Sequence, residues 1–514
     1  MIKTHILIII VIAVLSACSD KPQKEVIPKQ LKDFCSSIHK TDSTSLSSEL
    51  LNIVDSIKHK TGVFVLEHGD DAMITRAWLC EHAEKTIDVQ YFIFSTDNVG
   101  LIACDYLVRA ADKGINVRIL VDDIMVDAGA HEILTMDSHE NIEIKIYNPT
   151  INLGKNLFQK LKSLCVDFKG ANQRMHNKTL TVDGKIAITG GRNIADEYFD
   201  YDHEYNFRDR DVMLLGKTVK TINQSFNQFW DNPLSVPVTE VVQDSTVNPQ
   251  DKNRFERLHQ YACNPQNFWP QVKEKIMQLP QAFKNIQLAN GLIWTDSVRF
   301  VSDNPGKTNA TNKQLFDGGN TLPVLINLIK QSKHSVTIQS PYLITTDVGI
   351  SLFKQTTARG VSVRILTNSL LSNDNYEAFA GYQKCRSELL KTGIKIYEFK
   401  PDAKERYNIL KSALQQKINF TPVFGLHAKS MVIDDYITVI GTFNLDLRSA
   451  YLNTECFAII YSKQIAKGVL EGMEIEFLPE NSWHTTLDYN PDKEAPKKKQ
   501  LNSFVKRVVP KEIL

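Results

Sequence analysis

The 514-residue sequence holds eight cysteines, yet none forms a CxxC pair or a Cys/His cluster at metal-ligand spacing. A structural zinc site is therefore not written into it. No carboxylate cluster with magnesium or calcium spacing stands near the residues singled out below, and no metal or other cofactor is expected. Charge of one sign is missing too: 60 Lys+Arg against 59 Asp+Glu leave a formal net charge of +1. A global basic field, common among nucleic-acid binders, is excluded, although a local basic groove would not show in the total. Long apolar runs are scarce, and the continuous one at Ile6–Leu15 is too short to span a bilayer comfortably. With 42% hydrophobic and 23% charged residues, the remainder has ample material for a core. Its length implies two domains or one large duplicated unit.

The apolar run follows Lys3 and precedes Ser16-Ala17-Cys18, the layout of a signal peptide. Small residues directly before a cysteine resemble the bacterial lipobox. That resemblance implies removal of residues 1–17 and lipid attachment at Cys18; an uncleaved anchor, or a plain secretory signal, are the alternatives. Ser19 rather than Asp follows, which by the same resemblance removes the usual inner-membrane retention signal. The expected location is the periplasmic face of a bacterial envelope, with the outer membrane favoured. The other cysteines (Cys35, Cys80, Cys104, Cys165, Cys263, Cys385 and Cys456) are odd in number and scattered. An exported chain permits disulfides, but no connectivity can be read. Cys80, Cys104 and Cys456 sit in apolar patterns, as small core residues do.

Two stretches read alike: "KTIDVQYFIFSTDNVGLIACDYLVRAADKGINVRILVDD" (85–123) and "HSVTIQSPYLITTDVGISLFKQTTARGVSVRILTNS" (334–369). Each runs strand, Thr-Asp turn, apolar-periodic helix, Gly, and a "VRIL" strand, which makes a βαβ unit and favours a mostly parallel sheet. The duplication divides the chain into a tether and first helix at 18–60, a lobe at 61–236, a connector at 237–290, a second lobe at 291–475 and a tail at 476–514. In the tail, Phe504, Val505, Val508 and Val509 with Lys506 and Arg507 form either a membrane-surface helix or a terminal helix packed on the domain. Residues 152–169 place Leu153, Leu157, Phe158, Leu161 and Leu164 at helical spacing beside Lys155, Lys160 and Lys162. This is a basic amphipathic helix for anionic lipid, or a core-facing helix with a solvated lysine face.

A second duplication carries chemistry. "MHNKTLTVDGKIAITGGRN" ends at Asn193 and "LHAKSMVIDDYITVIGTFN" at Asn444, and both read H-x-K-x-x-x-x-D, a Gly-bearing strand end and Asn. His176 and Lys178 share a strand face, as do His427 and Lys429. Asp183 and Asp434 fall at the hairpin turns, away from that face, and read as structural members of the motif. One such hairpin is unremarkable. Two in register, one per lobe, are what a two-lobed active site requires.

The paired motif resembles the phospholipase D superfamily, whose duplicated signature it is. The likeness extends to bacterial cardiolipin synthases of the C-type branch through "RMHNKTLTVDGKIAITGGRNIADEYF", "TNSLLSNDNYEAFAGYQKCRSELLKTGIKIYE" and "IGTFNLDLRSAYLNTE". It covers most of the chain from about residue 60, with the connector departing from it. The implied fold is α/β: two duplicated lobes, each a mixed, mostly parallel sheet flanked by helices, with the active site at the lobe interface. One chain holds both motifs, so a monomer suffices.

Lys178, Lys429, Asn193 and Asn444 suit the charge of a pentacoordinate phosphorus. The histidines suit in-line attack and leaving-group protonation. By resemblance His176 is the nucleophile, forming a phosphohistidine, and His427 the acid and then base. Orienting carboxylates are expected at Glu455 in the second lobe and at Asp211, with Asp209 as runner-up, in the first. The implied reaction is phosphatidyl transfer that makes cardiolipin from phosphatidylglycerol plus phosphatidylglycerol or phosphatidylethanolamine at a membrane surface. Hydrolysis of phospholipid head groups is the alternative. A metal-independent nuclease is a third, against which the neutral charge and the anchor signal stand.

Overall fold

Two copies of one sheet organise the chain. The computed structural model describes residues 29–39, 43–126, 128–150, 152–153, 173–202, 204–268, 291–307, 319–406 and 422–507, with isolated positions between 273 and 284. The leader with Cys18, Cys165, and the 152–169 segment apart from Asn152 and Leu153 lie outside the described residues.

The first sheet uses β1 (Thr61–Leu66), β2 (Thr86–Tyr91), β3 (Asn116–Asp122), β4 (Ile142–Tyr147), β5 (Thr179–Val182) and β6 (Ile186–Gly190). After β7 (Tyr205–Arg208), which stands apart, β8 (Asp211–Gly216), β9 (Ser235–Pro237) and β10 (Ile293–Thr295) complete it. Its order is β10-β1-β8-β6-β5-β2-β3-β4-β9. The second sheet uses β11 (Val298–Ser302), β12 (Ser335–Gln339), β13 (Ser362–Asn368) and β14 (Lys395–Phe399). Past the isolated β15 (Val423–Leu426) it adds β16 (Ser430–Ile433), β17 (Ile437–Gly441), β18 (Cys456–Tyr461) and β19 (Ser482–Thr485), in the order β11-β18-β17-β16-β12-β13-β14-β19. Without β10 the two orders are the same, element for element.

Both sheets are mixed, but parallel pairing is confined to β2-β3-β4 and β12-β13-β14. The other neighbours run antiparallel, so the mostly parallel expectation is corrected. The βαβ unit is real, but each motif rides on a hairpin (β5-β6 and β16-β17), and a hairpin adds antiparallel strands.

Helices α1 (Lys29–Ile38), α2 (Gly69–His82), α3 (Asn98–Asp112), α4 (Ala130–Asp137) and α5 (Val219–Trp230) belong with the first sheet. Helix α6 (Glu256–Ala262) lies in the connector and packs on α3. With the second sheet go α7 (Asp347–Ala358), α8 (Tyr376–Lys391) and α9 (Lys463–Phe477), while α10 (Lys497–Lys506) packs on α8. The duplicated Thr-Asp turns are helix caps. The Asp97 carboxylate accepts the Gly100 N–H and the Thr346 hydroxyl the Gly349 N–H, three residues on in each copy. Cys35 of α1 and Cys263, just past α6, form a disulfide that ties the first helix to the connector. Cys80 and Cys456 are buried and Cys104 half-buried, all as free thiols.

Each lobe has its own apolar core, and a third core lies between them. Ala187, Val212 and Leu214 of the first lobe meet Ala428, Ile440 and Ala458 of the second. Strands β5, β6, β16 and most of β17 are therefore buried throughout. Residues that would face water in a lone hairpin face the other lobe instead. β7 and β15 pair in parallel across the junction, with Arg208 opposite Leu426, and deliver the chain to Asp209 and His427.

Candidate active site

Each motif hairpin turns at an aspartate with positive φ, 51° at Asp183 and 52° at Asp434. The Asp183 carboxylate accepts the backbone N–H groups of Glu84, Lys85 and Thr86 at 2.7–3.0 Å. Asp434 does the same for Lys333, His334 and Ser335. The aspartates thus clamp each hairpin to the first residues of the central strand beside it. They hold the motif; they do not reach its reactive end.

At the other end each histidine is bonded to the opposite lobe. The His176 N–H donates to Thr454 O at 3.0 Å and the His427 N–H to Arg208 O at 2.8 Å. Side chains repeat the crossing. His176 Nδ1–H donates to Glu455 Oε2 at 2.9 Å, and His427 Nδ1–H to Asp209 Oδ2 at 2.5 Å. With Nδ1 engaged, each ring presents Nε2 as the free nitrogen. The Thr442 and Ser449 hydroxyls also donate to Glu455, at 2.5 and 2.7 Å, so its orientation is fixed from three sides.

The Asp211 expectation is corrected. Asp211 accepts from Arg76 at 2.8 Å, lies 3.5 Å from Arg192, and touches neither histidine. The register explains why. Gly190 pairs with Asp211 and Gly441 with Phe457, so Asp211 is the counterpart of Phe457, and Asp209 that of Glu455. Gly191 leaves room for this arrangement, since a Cβ there would meet Asp209 Oδ1 at 2.0 Å.

Lys178 Nζ donates to His176 O at 2.9 Å and Lys429 Nζ to His427 O at 2.6 Å. Both ammonium groups are buried, with no carboxylate within ion-pair distance among the described residues. Each lysine's charge reaches the histidine of the other motif, so the motif pairs 251 residues apart share one site. Asn193 Oδ1 accepts the Ile93 N–H at 3.1 Å, and Asn444 Oδ1 is buried with no hydrogen-bond partner among the described residues. Phe92 stands edge-on to His176 at 5.1 Å, and Tyr198 edge-on to His427 at 5.1 Å. Nothing local in the sequence points to these aromatics, to Thr442 and Ser449, or to Asp374, an exposed carboxylate that accepts the Tyr342 hydroxyl at 2.8 Å and whose charge reaches Lys429.

Electrostatically the site is governed by burial. Burial pushes His176 down to about 4 against the pull of Glu455, with Lys178 adding to the fall. Burial and then Lys429 push His427 down to about 3 against Asp209. Burial lowers Lys178 to about 8 and Lys429 to about 7, the latter helped by Lys178. Burial opposes ionisation of Asp209 and Glu455, yet their histidine partners hold both below the usual carboxylate range. An entering phosphodiester anion would meet two desolvated ammonium groups, each regaining its proton affinity.

The sign of the pH dependence follows. A lysine with lowered pKa is cationic below that value and neutral above it, while a phosphodiester keeps its single negative charge throughout. We expect kcat/KM to fall as pH rises through about 7–8, well short of the ordinary lysine range. The alkaline limb of kcat should lie higher, because bound phosphate favours the ammonium forms. A kcat/KM profile flat to pH 10 on a short-chain substrate would contradict this.

Among the described residues, the group close enough to share a metal ion is Cys35, His39 and Cys263. Two of its members are joined as a disulfide, and none belongs to either motif.

The model for the cardiolipin synthase, phospholipase D-like domain, matches residues 79–230 and 325–474, one lobe each. Cardiolipin synthase C of Escherichia coli K12 is 33% identical over 456 residues, covering 86% of this chain and 90% of that protein. An uncharacterised protein of Helicobacter pylori J99 is 31% identical over 441 residues, 85% of this chain and 82% of that one. The crystal structure of phosphatidylserine synthase from Haemophilus influenzae Rd KW20 superposes with TM-score 0.57 at 12% identity, covering 90% of this chain and all of that one. That likeness is one of fold. With both domain matches falling on the lobes that carry the crossed histidine–carboxylate pairs, the chain belongs to the cardiolipin synthase family of phospholipase D-like proteins.

Proposed function

We propose that the chain is a phosphatidyltransferase that makes cardiolipin, taking the phosphatidyl group from phosphatidylglycerol or phosphatidylethanolamine to a second phosphatidylglycerol. The observation that carries this is the pair of imidazoles, each tied through Nδ1 to the other lobe's carboxylate and flanked by a buried lysine. In the first step His176 Nε2 bonds to phosphorus while the bond to the head-group oxygen breaks, and His427 gives that oxygen its proton. The substrate's own negative charge, held between Lys178 and Lys429, favours the imidazolium form of His427. In the second step His427 takes the proton from the acceptor hydroxyl as its oxygen bonds to phosphorus and the P–N bond breaks. No residue changes its net protonation over the cycle. Asp374, beside Tyr342, offers a carboxylate to an ethanolamine ammonium or to glycerol hydroxyls. Both motifs lie in one chain, and a monomer suffices.

The test is mass spectrometry of products from defined mixtures of the two lipids. Cardiolipin with release of glycerol or ethanolamine is expected. Phosphatidic acid alone would replace transfer by hydrolysis, and cleavage of plasmid DNA in chelator with no lipid product would overturn the reading.

Export and lipid attachment at Cys18 belong to the same proposal, with the periplasmic face of the outer membrane as destination. The lipobox-like residues support it, as does the Cys35–Cys263 disulfide, a bond that persists in oxidising compartments. Helix α10 suits the membrane surface. Leu501, Phe504 and Val505 are 62%, 64% and 57% exposed, beside exposed Lys497 and Lys498. The opposite face carries the buried Ser503, whose hydroxyl donates to Gln383 of α8. Replacing Leu501, Phe504 and Val505 together by Ser should weaken flotation with phosphatidylglycerol vesicles by about tenfold while leaving Tm unchanged. Unchanged flotation would remove α10 from the membrane contact.

A further inference from the structure

The segment after β2 links the nucleophile to a cavity that the chemistry above does not use. Phe92 stands edge-on to His176 at 5.1 Å. The next residue, Ile93, donates its N–H to the Asn193 side chain. Phe94 then bridges to Val126 and Ile194 and lines a cavity of about 740 Å³. Phe92 and Phe94 are two residues apart in the chain, so the ring beside His176 and the ring that lines the cavity belong to one short segment. Its lining is mostly apolar, with Leu101 and Cys104 of α3, Ile119 and Val121 of β3, Ile133 of α4 and Phe255 at the start of α6, while His131, Glu132, Arg254 and Arg257 also line it.

The roof is the connector. Its α6 is fixed over α3 by the His259–Asp105 hydrogen bond at 2.5 Å, by the Tyr261 hydroxyl on Asn98 at 3.0 Å, and by the disulfide at its end. Protein interiors otherwise pack to the density of organic crystals. An element fastened this firmly above an apolar space of ligand size is built to enclose something apolar.

We propose that this cavity takes an acyl chain of the phosphatidyl donor, and that the connector's role is to enclose it. The inference rests on the phosphatidyl-transfer reading above and adds where the donor's apolar half goes. Phosphorus is held between lysines, the glycerol backbone passes Phe92, and a chain runs past Phe94 under α6. The retained phosphatidyl group keeps its chain there while head groups exchange on the His427 side.

Cavity filling tests it. Cys104→Trp and Leu258→Trp, one on each wall, should lower kcat/KM for dioleoyl phosphatidylglycerol by about tenfold or more and leave dihexanoyl phosphatidylglycerol within about twofold. Independently of turnover, cis-parinaric acid should bind the wild type saturably and the two Trp variants not at all. Equal losses at both chain lengths in variants of unchanged Tm, or no saturable parinaric acid binding by the wild type, would overturn the proposal. If the wild type releases head groups without making cardiolipin, the chain-length comparison is read on head-group release. The transfer reading then fails while the acyl site stands.

Discussion

His176→Asn is expected to abolish turnover by a factor of about 10⁴ or more, and to abolish the covalent intermediate with it. His427→Asn should be as inactive on phospholipid yet differ in one readout. On a p-nitrophenyl phosphodiester the leaving group needs no proton, so the first step can proceed without His427. The second step still needs a base. The His427→Asn protein should therefore release close to one equivalent of nitrophenolate in a burst and stall with phosphorus on His176, while the His176→Asn protein shows no burst. The geometry alone does not rank the two rings: both are buried, both present Nε2, and both have lowered pKa values. A burst from His176→Asn and none from His427→Asn would exchange their roles and keep the rest of the mechanism. A burst from both, or from neither, would remove the phosphohistidine altogether.

Much of the site was legible because its constraints are local. The His-x-Lys spacing recurs just ahead of β5 and of β16, outside the strands on which it was expected, and an aspartate at positive φ marks each turn. The duplicated "VRIL" segments gave the lobe count because a βαβ unit occupies one continuous stretch of chain. What stayed hidden was what depends on the other lobe. Glu455 was singled out as a carboxylate, but nothing near it says that its partner is His176, 279 residues away. Asp209 and Asp211 cannot be ranked locally because both are acidic, both lie in the same "RDRD" run, and only sheet register tells them apart. The antiparallel share of each sheet is likewise set by where the hairpins dock. The Cys35–Cys263 pairing spans 228 residues and cannot be read from spacing. The connector departs from the family likeness, and the position of its α6 is set by α3 and the disulfide, which its own stretch of sequence does not show.

That two-residue difference yields the second large effect. Asp209→Asn keeps the shape of the side chain but offers His427 an amide, which can donate to Nδ1 and so favour the wrong tautomer, with the proton on Nε2. It also removes the charge that would stabilise His427 as imidazolium. Its kcat should fall by about 10²–10⁴, with kcat/KM following. Asp209 is buried and held below the usual carboxylate range, so some fall in Tm is expected as well, and kcat is compared per folded molecule. Asp211→Asn should act on stability and leave kcat. Its carboxylate neutralises Arg76 and sits 3.5 Å from Arg192, both buried. Losing it leaves guanidinium charge uncompensated inside the first lobe, at a cost of about 3–5 kcal/mol in stability. Measured below its lowered Tm, kcat per folded molecule should stay within about threefold of wild type, because no Asp211 atom touches either histidine. The pair of variants thus separates catalysis from folding at two acids two residues apart, Asp209 just ahead of β8 and Asp211 at its start. A His427→Asn/Asp209→Asn double variant should be no slower than His427→Asn alone, since Asp209 acts through that ring. An Asp211→Asn protein that folds as the wild type does and loses activity like Asp209→Asn would show that the crossed carboxylate is not the one drawn here, and would reopen which lobe orients which histidine.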